Sequence, residues 1–315
     1  MPVIRGTNYS ETLYGTAYND TIYGYGGDDL IYGYGGNDLI YGGAGNDDIL
    51  GGNGVNNLYG GTGADWFIMS ARTTGLSDDF IADFQFGYDK IDVSAWGISD
   101  FSQLRAFLKT DKYGDAYFNA FYNGYDHYLT VADVTAGQLI SSDFVYSSSG
   151  ARSQSGTNYS DMMFGSRYND TLYGAGGNDI LHGGLGNDRM NGGTGNDDLY
   201  GGAGYDVLTG GAGADAFVFQ SVTDSAPNAY RDRITDFDYR YDFIDLSLID
   251  ARANVAGNQA FQWIGTGNFT NSGQLKYGWY GNDTIISANT DTDSTPEFQI
   301  VLSGRHTLLA GDFVL

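Results

Sequence analysis

The chain has 315 residues, with 15 basic and 39 acidic side chains and a formal net charge of −24, long enough for two ordinary domains and too acidic to hold a polyanion such as DNA. It has no cysteine, which excludes disulfides and zinc–thiolate sites, and no run of about 18 apolar residues that could span a membrane as a helix. Only Glu11 and Glu297 among the acids are glutamates, and such an excess of aspartate points to tight turns and hard-cation ligands, where a short carboxylate fits best.

The first residues, Met1 to Asn8, lack the apolar core of a signal peptide. From Gly6 the sequence can be cut every nine residues as GTNYSETLY, GTAYNDTIY, GYGGDDLIY, GYGGNDLIY, GGAGNDDIL, GGNGVNNLY and GGTGADWFI, ending at Ile68. The same cut works again from Gly156 to Val218. Internal repetition of this kind marks a solenoid, in which each unit covers the apolar side of the next. Glycine supplies 49 residues and proline only 3, without a Gly-X-Y period, so collagen is excluded, and 41% apolar residues allow a core.

Two columns carry the signal. The sixth position reads Glu11, Asp20, Asp29, Asp38, Asp47, Asn56 and Asp65, then Asp161, Asp170, Asp179, Asp188, Asp197, Asp206 and Asp215. The eighth is apolar throughout, from Leu13, Ile22 and Ile31 to Leu208 and Phe217. Glycines at the first four positions permit tight turns, and the last three residues predict a short strand with one side chain inward. Two nonapeptides then make one coil, so repeats n and n+2 stack on the same edge.

That stacking sets like charges about 4.8 Å apart, where they repel by roughly 1 to 4 kcal/mol per pair. Several such pairs would overwhelm a stability of about 5 to 15 kcal/mol. A divalent cation between the carboxylates reverses the sign, and turn carbonyls can complete a shell of six or more oxygens, which suits calcium better than magnesium. Asn56 removes one charge opposite Asp38, so that site is expected to be weaker or empty.

These repeats resemble the glycine-rich nonapeptides of the repeats-in-toxin (RTX) family, GGxGxDxUx. The resemblance implies an all-β fold of two tandem parallel β-rolls that bind Ca²⁺ between same-edge turns. The implied ligands are the carboxylates of Asp20, Asp29, Asp38, Asp47, Asp65, Asp161, Asp170, Asp179, Asp188, Asp197, Asp206 and Asp215. It also implies backbone carbonyls as ligands, at Gly36, Gly43, Gly45, Gly184, Gly186, Gly193, Gly195, Gly202 and Gly204. Glu11 is a further candidate.

After each array comes a related segment, Asp79-Phe80-Ile81-Ala82-Asp83-Phe84 with Asp89 to Ser94, and Asp232-Arg233-Ile234-Thr235-Asp236-Phe237 with Asp242 to Ser247. Their alternation predicts strands that close the open end of the roll. Asp79, Asp83, Asp232 and Asp236 either add a calcium site or cap turns. Phe101, Leu104, Phe107 and Leu108 predict one face of a helix, with Ser99-Asp100 at its N-cap. The DxIxDF pattern is similar to the part that follows the roll in serralysin C-terminal domains and alginate-epimerase R-modules, and residues 261–315 resemble serralysin and lipase ends. The loop Asp291 to Glu297 lacks that family's usual glycine, so no metal is expected there.

A serine-rich linker, Ser147 to Ser155, sets the predicted boundary. The first module is 1–148 (repeats 6–68, cap 69–148), and the second is 149–315 (repeats 156–218, cap and C-terminal secretion signal 219–315). The final Asp312-Phe313-Val314-Leu315, with its counterpart Asp143-Phe144-Val145-Tyr146, resembles the uncleaved signal of type I secretion substrates and also reads as an ordinary last strand.

Catalytic motifs are missing. None of His127, His182 and His306 lies in HExxH, and there is no GxSxG. The expected protein is a secreted, extracellular, non-catalytic calcium binder that folds outside the cell and acts in an extracellular matrix or surface layer. Its expected partners are several calcium ions per module and, during export, a type I secretion apparatus. The alternative is a polysaccharide-binding accessory module, suggested by ninth-position tyrosines Tyr14, Tyr32, Tyr23, Tyr41 and Tyr59 with Tyr25 and Tyr34 in adjacent turns. Mutual packing of those rings is the competing reading.

Overall fold

The computed structural model describes every residue except 71–75, 123–124, 148–149, 228–230 and 253–254. The chain divides into two compact units, Met1–Ser148 and Ser149–Leu315. The predicted boundary between Ser148 and Ser149 lies outside the described residues.

In the first unit one eight-stranded sheet takes the even-numbered repeats. It runs from Val3–Arg5 through Thr21–Gly26, Leu39–Ala44, Gly54–Thr62 and Ser77–Ile81 to Tyr125–Val131, Ala116–Tyr122 and Lys109–Thr110. A six-stranded sheet takes the odd-numbered repeats, from Thr12–Tyr14 through Leu30–Tyr32, Asp48–Leu50, Trp66–Ile68 and Lys90–Asp92 to Phe144–Val145. Pairing is parallel within the roll and joins each repeat to the next but one, with Ile22 opposite Ile40 and Ile31 opposite Ile49. Two nonapeptides therefore make one coil. The eighth-position side chains of both sheets are buried and form the core, with Ile22, Ile31, Ile40, Ile49, Leu58 and Phe67 inaccessible to solvent.

The second unit repeats the plan. A nine-stranded sheet runs from Ser153–Ser155 through Thr171–Gly176, Arg189–Thr194, Val207–Ala212 and Arg233–Ile234 into Phe298–Leu302, Asp283–Asn289, Gln274–Tyr280 and Gln262–Trp263. Its six-stranded companion contains Met162–Phe164, Ile180–Leu185, Asp198–Ala203, Ala216–Val218, Phe243–Asp245 and Phe313–Val314. Leu172, Leu181, Met190, Leu199, Leu208 and Phe217 join the cap residues Ile234, Ile244, Phe298 and Ile300 in one core.

Several roll strands are six residues long rather than three. Thr21–Gly26 and Leu39–Ala44 stay paired through Tyr25–Gly43 and Gly26–Ala44. The positive φ values fall at the second and fourth repeat positions, as at Gly43 (121°) and Gly45 (135°). First-position glycines serve a different need, close approach: a Cβ on Gly51 would lie 2.8 Å from Asn56 Nδ2.

The caps contain the predicted strands. A single turn of helix, Phe101–Arg105, begins where Asp100 accepts the N–H groups of Ser102 and Gln103. Phe107 and Leu108 lie beyond that helix, which ends after Arg105. Both Asp143-Phe144-Val145 and Asp312-Phe313-Val314 enter the six-stranded sheets, pairing with Lys90–Asp92 and Phe243–Asp245. Among the described residues no helix is long and apolar enough to cross a membrane.

Candidate metal centre

Stacking of each repeat on the next but one turns the sixth-position acids into columns along each edge. In each column one carboxylate oxygen is held by the backbone. Asp38 Oδ1 accepts the N–H of Asp20 at 2.8 Å, Asp47 that of Asp29 at 2.9 Å, and Asp65 that of Asp47 at 2.9 Å. The second unit does the same with Asp179, Asp188, Asp197, Asp206 and Asp215, which accept from Asp161, Asp170, Asp179, Asp188 and Asp197.

The second oxygen has no partner. Oδ2 of Asp29, Asp38, Asp47, Asp65, Asp179, Asp188, Asp197, Asp206 and Asp215 is buried without a hydrogen bond, and so is Oδ1 of Asp20. A buried carboxylate oxygen left unmatched costs free energy on the order of a few kcal/mol. Burial, opposed by the backbone bond and reinforced by neighbouring acids, pushes Asp38 up to about 6 and Asp47, Asp179 and Asp188 up to about 7. Asp65, Asp197 and Asp215 are raised to about 6 for the same first reason.

The turns carry neutral oxygens, and those of the first repeat position lie beside the columns: a Cβ built on Gly24 would meet both the Gly42 carbonyl oxygen and, at 2.5 Å, Asp29 Oδ2. All nine glycines whose carbonyls were expected as ligands have positive φ, from 87° at Gly202 to 149° at Gly204. The carbonyls of Gly36, Gly43, Gly45, Gly184, Gly186, Gly193 and Gly195 face the equivalent glycine of the next coil, leaving no room for a Cβ. Oxygens of these two kinds, carboxylate and carbonyl, match a hard cation with a large oxygen shell.

The ends of the columns differ. Glu11 donates its N–H to Asp29 and uses its carboxylate on the Thr7 N–H. Asp20 and Asp161 accept from the backbone and hydroxyl of Thr16 and Thr157, and Asp170 is partnered by Ser166 and Arg152. Asp161 and Asp170 are thus better satisfied than the internal acids, whereas Asp20 keeps one buried oxygen, Oδ1, without a partner.

Past the last repeat the columns continue into the caps. Asp206 donates its N–H to Asp232 Oδ1 at 2.8 Å, and the Oδ2 atoms of Asp79 and Asp232 are buried without partners. Burial raises both Asp206 and Asp232, and repulsion adds to it, from Asp188 and Asp224 at Asp206 and from Asp206 at Asp232. Asp83 and Asp236 have another task. Each accepts two turn N–H groups, from Gly60 and Gly61 and from Gly210 and Gly211 respectively, in the manner of a cap.

Two sets of column residues escaped the sequence reading. Asp89 and Asp242 accept from Asp65 and Asp215 and extend the odd-repeat edge. The fifth position forms its own ladder in the opposite sense: Asn19, Asn37, Asn169, Asn178 and Asn187 accept an N–H from the coil that follows. The recurrence of Asn, Asp or Ser immediately before many of the sixth-position acids was the available signal.

The loop near the end, where no metal is expected, gathers three acids. Ligand oxygens of Asp291, Asp293 and Glu297 all lie within 4.8 Å of one another. They are nevertheless engaged locally, by the N–H groups of Asp293, Thr295 and Thr290.

The tyrosines stack on each other. Tyr41 lies between Tyr23 (5.2 Å, 2°) and Tyr59 (4.7 Å, 20°), and Tyr14 stacks on Tyr32 at 5.6 Å. Tyr25 and Tyr34 hold φ of 74° and 68° and lean on Tyr23 and Tyr32.

Residues 5–40 and 32–67 match the RTX calcium-binding nonapeptide repeat, and residues 171–315 match the peptidase M10 serralysin C-terminal family. No curated protein gives a significant match. Similar solved structures include the R3 subunit of the AlgE6 mannuronan C5-epimerase of Azotobacter vinelandii, at 28% identity over 54% of this chain and 81% of that one, TM-score 0.29. The R2 subunit of the same enzyme is 25% identical over 51% and 90%, TM-score 0.26. The extracellular lipase LipA of Serratia marcescens is 14% identical, over 100% of this chain and 40% of the lipase, TM-score 0.25. The repeats of this chain are RTX calcium-binding nonapeptide repeats folded as β-rolls, and their cofactor is Ca²⁺.

Proposed function

We propose that this is a secreted, non-catalytic protein whose two rolls fold when calcium enters the carboxylate columns outside the cell. The observation that carries the reading is the column of buried, unpartnered Oδ2 atoms. In this reading Asp29, Asp38, Asp47, Asp65, Asp179, Asp188, Asp197, Asp206 and Asp215 supply charged oxygens to the ion, and the turn glycines supply carbonyls. Asp20, Asp161 and Asp170 lie at the column ends; Asp161 and Asp170 have fewer oxygens to spare and bind more weakly. Bound calcium supplies the positive charge that the columns lack.

Affinity then sets where folding happens. Extracellular-type sites have dissociation constants of about 10⁻⁴ to 10⁻³ M, far above cytosolic calcium. The chain stays open for export through a type I apparatus and closes when metal arrives. Its place of action is an extracellular matrix or surface layer. Sugar stacking on the tyrosine row is less well supported, because Tyr41 has a neighbour on each face.

Far-UV circular dichroism of the whole chain tests the folding switch. A β-rich spectrum in millimolar calcium and an unfolded one in EGTA are expected. Identical spectra reject it.

A further inference from the structure

Internal rungs of both rolls share one arrangement: Oδ1 holds a backbone N–H and Oδ2 is buried without a partner. Residue 56 departs from it. Asn56 Oδ1 does the usual work, accepting the Asp38 N–H at 3.0 Å. Where the other rungs have Oδ2 beside the first glycine of the repeat, Asn56 has Nδ2, 2.8 Å from a Cβ built on Gly51. That nitrogen donates to Asp79 Oδ1 at 2.9 Å and to the Gly52 carbonyl at 3.3 Å. The Ser77 hydroxyl donates to the same carbonyl at 3.2 Å.

The matching rung of the second roll has the same place in the repeat but opposite chemistry. There Asp206 faces Asp232, each is fully buried, and each has an unpartnered Oδ2. The cap strands differ accordingly. Ser77–Ile81 pairs with the last roll strand over five residues, Gly54 through Leu58, whereas Arg233–Ile234 pairs with it over two, Val207 and Leu208, and on its other side with Val301 and Leu302.

An amide N–H₂ cannot ligate a cation, and it blocks the space by pointing donors into it. It also satisfies two acceptors that an ion would have drawn in, Asp79 Oδ1 and the Gly52 carbonyl, although Asp79 Oδ2 stays buried without a partner. We propose that the Asn56 amide takes the place of a calcium ion, so that the first roll closes onto its cap without metal at this rung, whereas the Asp206–Asp232 rung of the second roll needs a cation. The inference rests on the calcium-folding reading above and adds an order to it. As calcium rises, the junction at Ser77–Ile81 seats before the junction at Arg233–Ile234.

Two substitutions in the full chain test this, Asn56→Asp and Asp206→Asn, read by calcium stoichiometry in equilibrium dialysis and by peptide-level hydrogen exchange during a calcium titration. In the unmodified chain, peptides over Ser77–Ile81 should become protected at several-fold lower calcium than peptides over Arg233–Ile234. Asn56→Asp should add one ion and raise the calcium needed at Ser77–Ile81 several-fold, leaving Arg233–Ile234 unchanged. Asp206→Asn should remove one ion and lower the requirement at Arg233–Ile234. A calcium response with unchanged stoichiometry and unchanged Ser77–Ile81 midpoint in Asn56→Asp overturns this inference alone. The absence of any calcium response in either junction overturns the folding reading, and this inference with it.

Discussion

At Asp188 one side chain serves two opposed ends. Its Oδ1 holds the Asp170 N–H, which favours the anion, while its Oδ2 is buried without a partner, which opposes it. Burial is the larger effect, so the carboxyl is pushed up to about 7 from 3.8. The same holds for Asp47, Asp79 and Asp179. Between about pH 4 and pH 7 the metal-free fold then binds more protons than the unfolded chain. Its stability is greatest below the unfolded value and falls as pH rises through the folded one. In EGTA the far-UV spectrum should therefore be more β-rich at pH 5 than at pH 8, and the reverse order would contradict the burial argument. Proton and calcium are alternatives for the same oxygens, so calcium binding near pH 6 should release protons, measurable as a buffer-dependent enthalpy.

The turn glycines make a second prediction at this scale. Gly195 has φ of 128°, and a Cβ there would run into the carbonyl of Gly177. Gly195→Ala should cost about 2 kcal/mol or more in the calcium-loaded protein. Gly311→Ala, where nothing lies within 4 Å, should leave the unfolding midpoint unchanged. The sixth-position acids were plain in the sequence because they recur with every repeat. Which oxygen the backbone takes was not, because that depends on the neighbouring coil. Asp83 and Asp79 look alike in sequence, yet one caps a turn and the other extends the column.

At the scale of the element, a roll strand is too short to stand alone and gains its stability from the neighbours it stacks on. Ile40 is fully buried between Ile22 and Leu58 in the same row. Ile40→Ala should cost about 2 to 5 kcal/mol, since the rigid coils on either side cannot collapse into the space. Tyr41→Ala should cost less, about 0.5 to 1.5 kcal/mol, from loss of two ring contacts, with calcium stoichiometry unaltered. Chemical denaturation at fixed calcium distinguishes the two. The repeat pattern made the eighth-position core legible from sequence. It did not show that strands would extend on through the glycines. The absence of Cβ atoms, which reads as a turn signal, also lets the backbones stay paired. The antiparallel strands Ala116–Tyr122 and Asp283–Asn289 were folded into an unspecified cap, because their partners are set by the roll end they cover and not by any repeat.

At the scale of the whole molecule, the two units solve one electrostatic problem with different amounts of help. In the second roll every sixth position is an aspartate, and its last even-edge rung meets another acid in the cap. The first roll replaces one acid by Asn56 and opens with Glu11. The repeat plan and its need for a cation were readable from composition and period alone. The path of the odd-repeat columns into Asp89 and Asp242 was hidden by the loss of the regular spacing beyond Ile68 and Val218.

A crystal structure of the whole chain grown with calcium, set beside one from divalent-free solution at neutral pH, tests the central claim most directly. Cation density next to the Oδ2 atoms of Asp47, Asp188 and Asp206, with no ordered roll in the divalent-free sample, is the predicted result. An ordered roll at neutral pH with those ionised carboxylates stacked and nothing between them would contradict it.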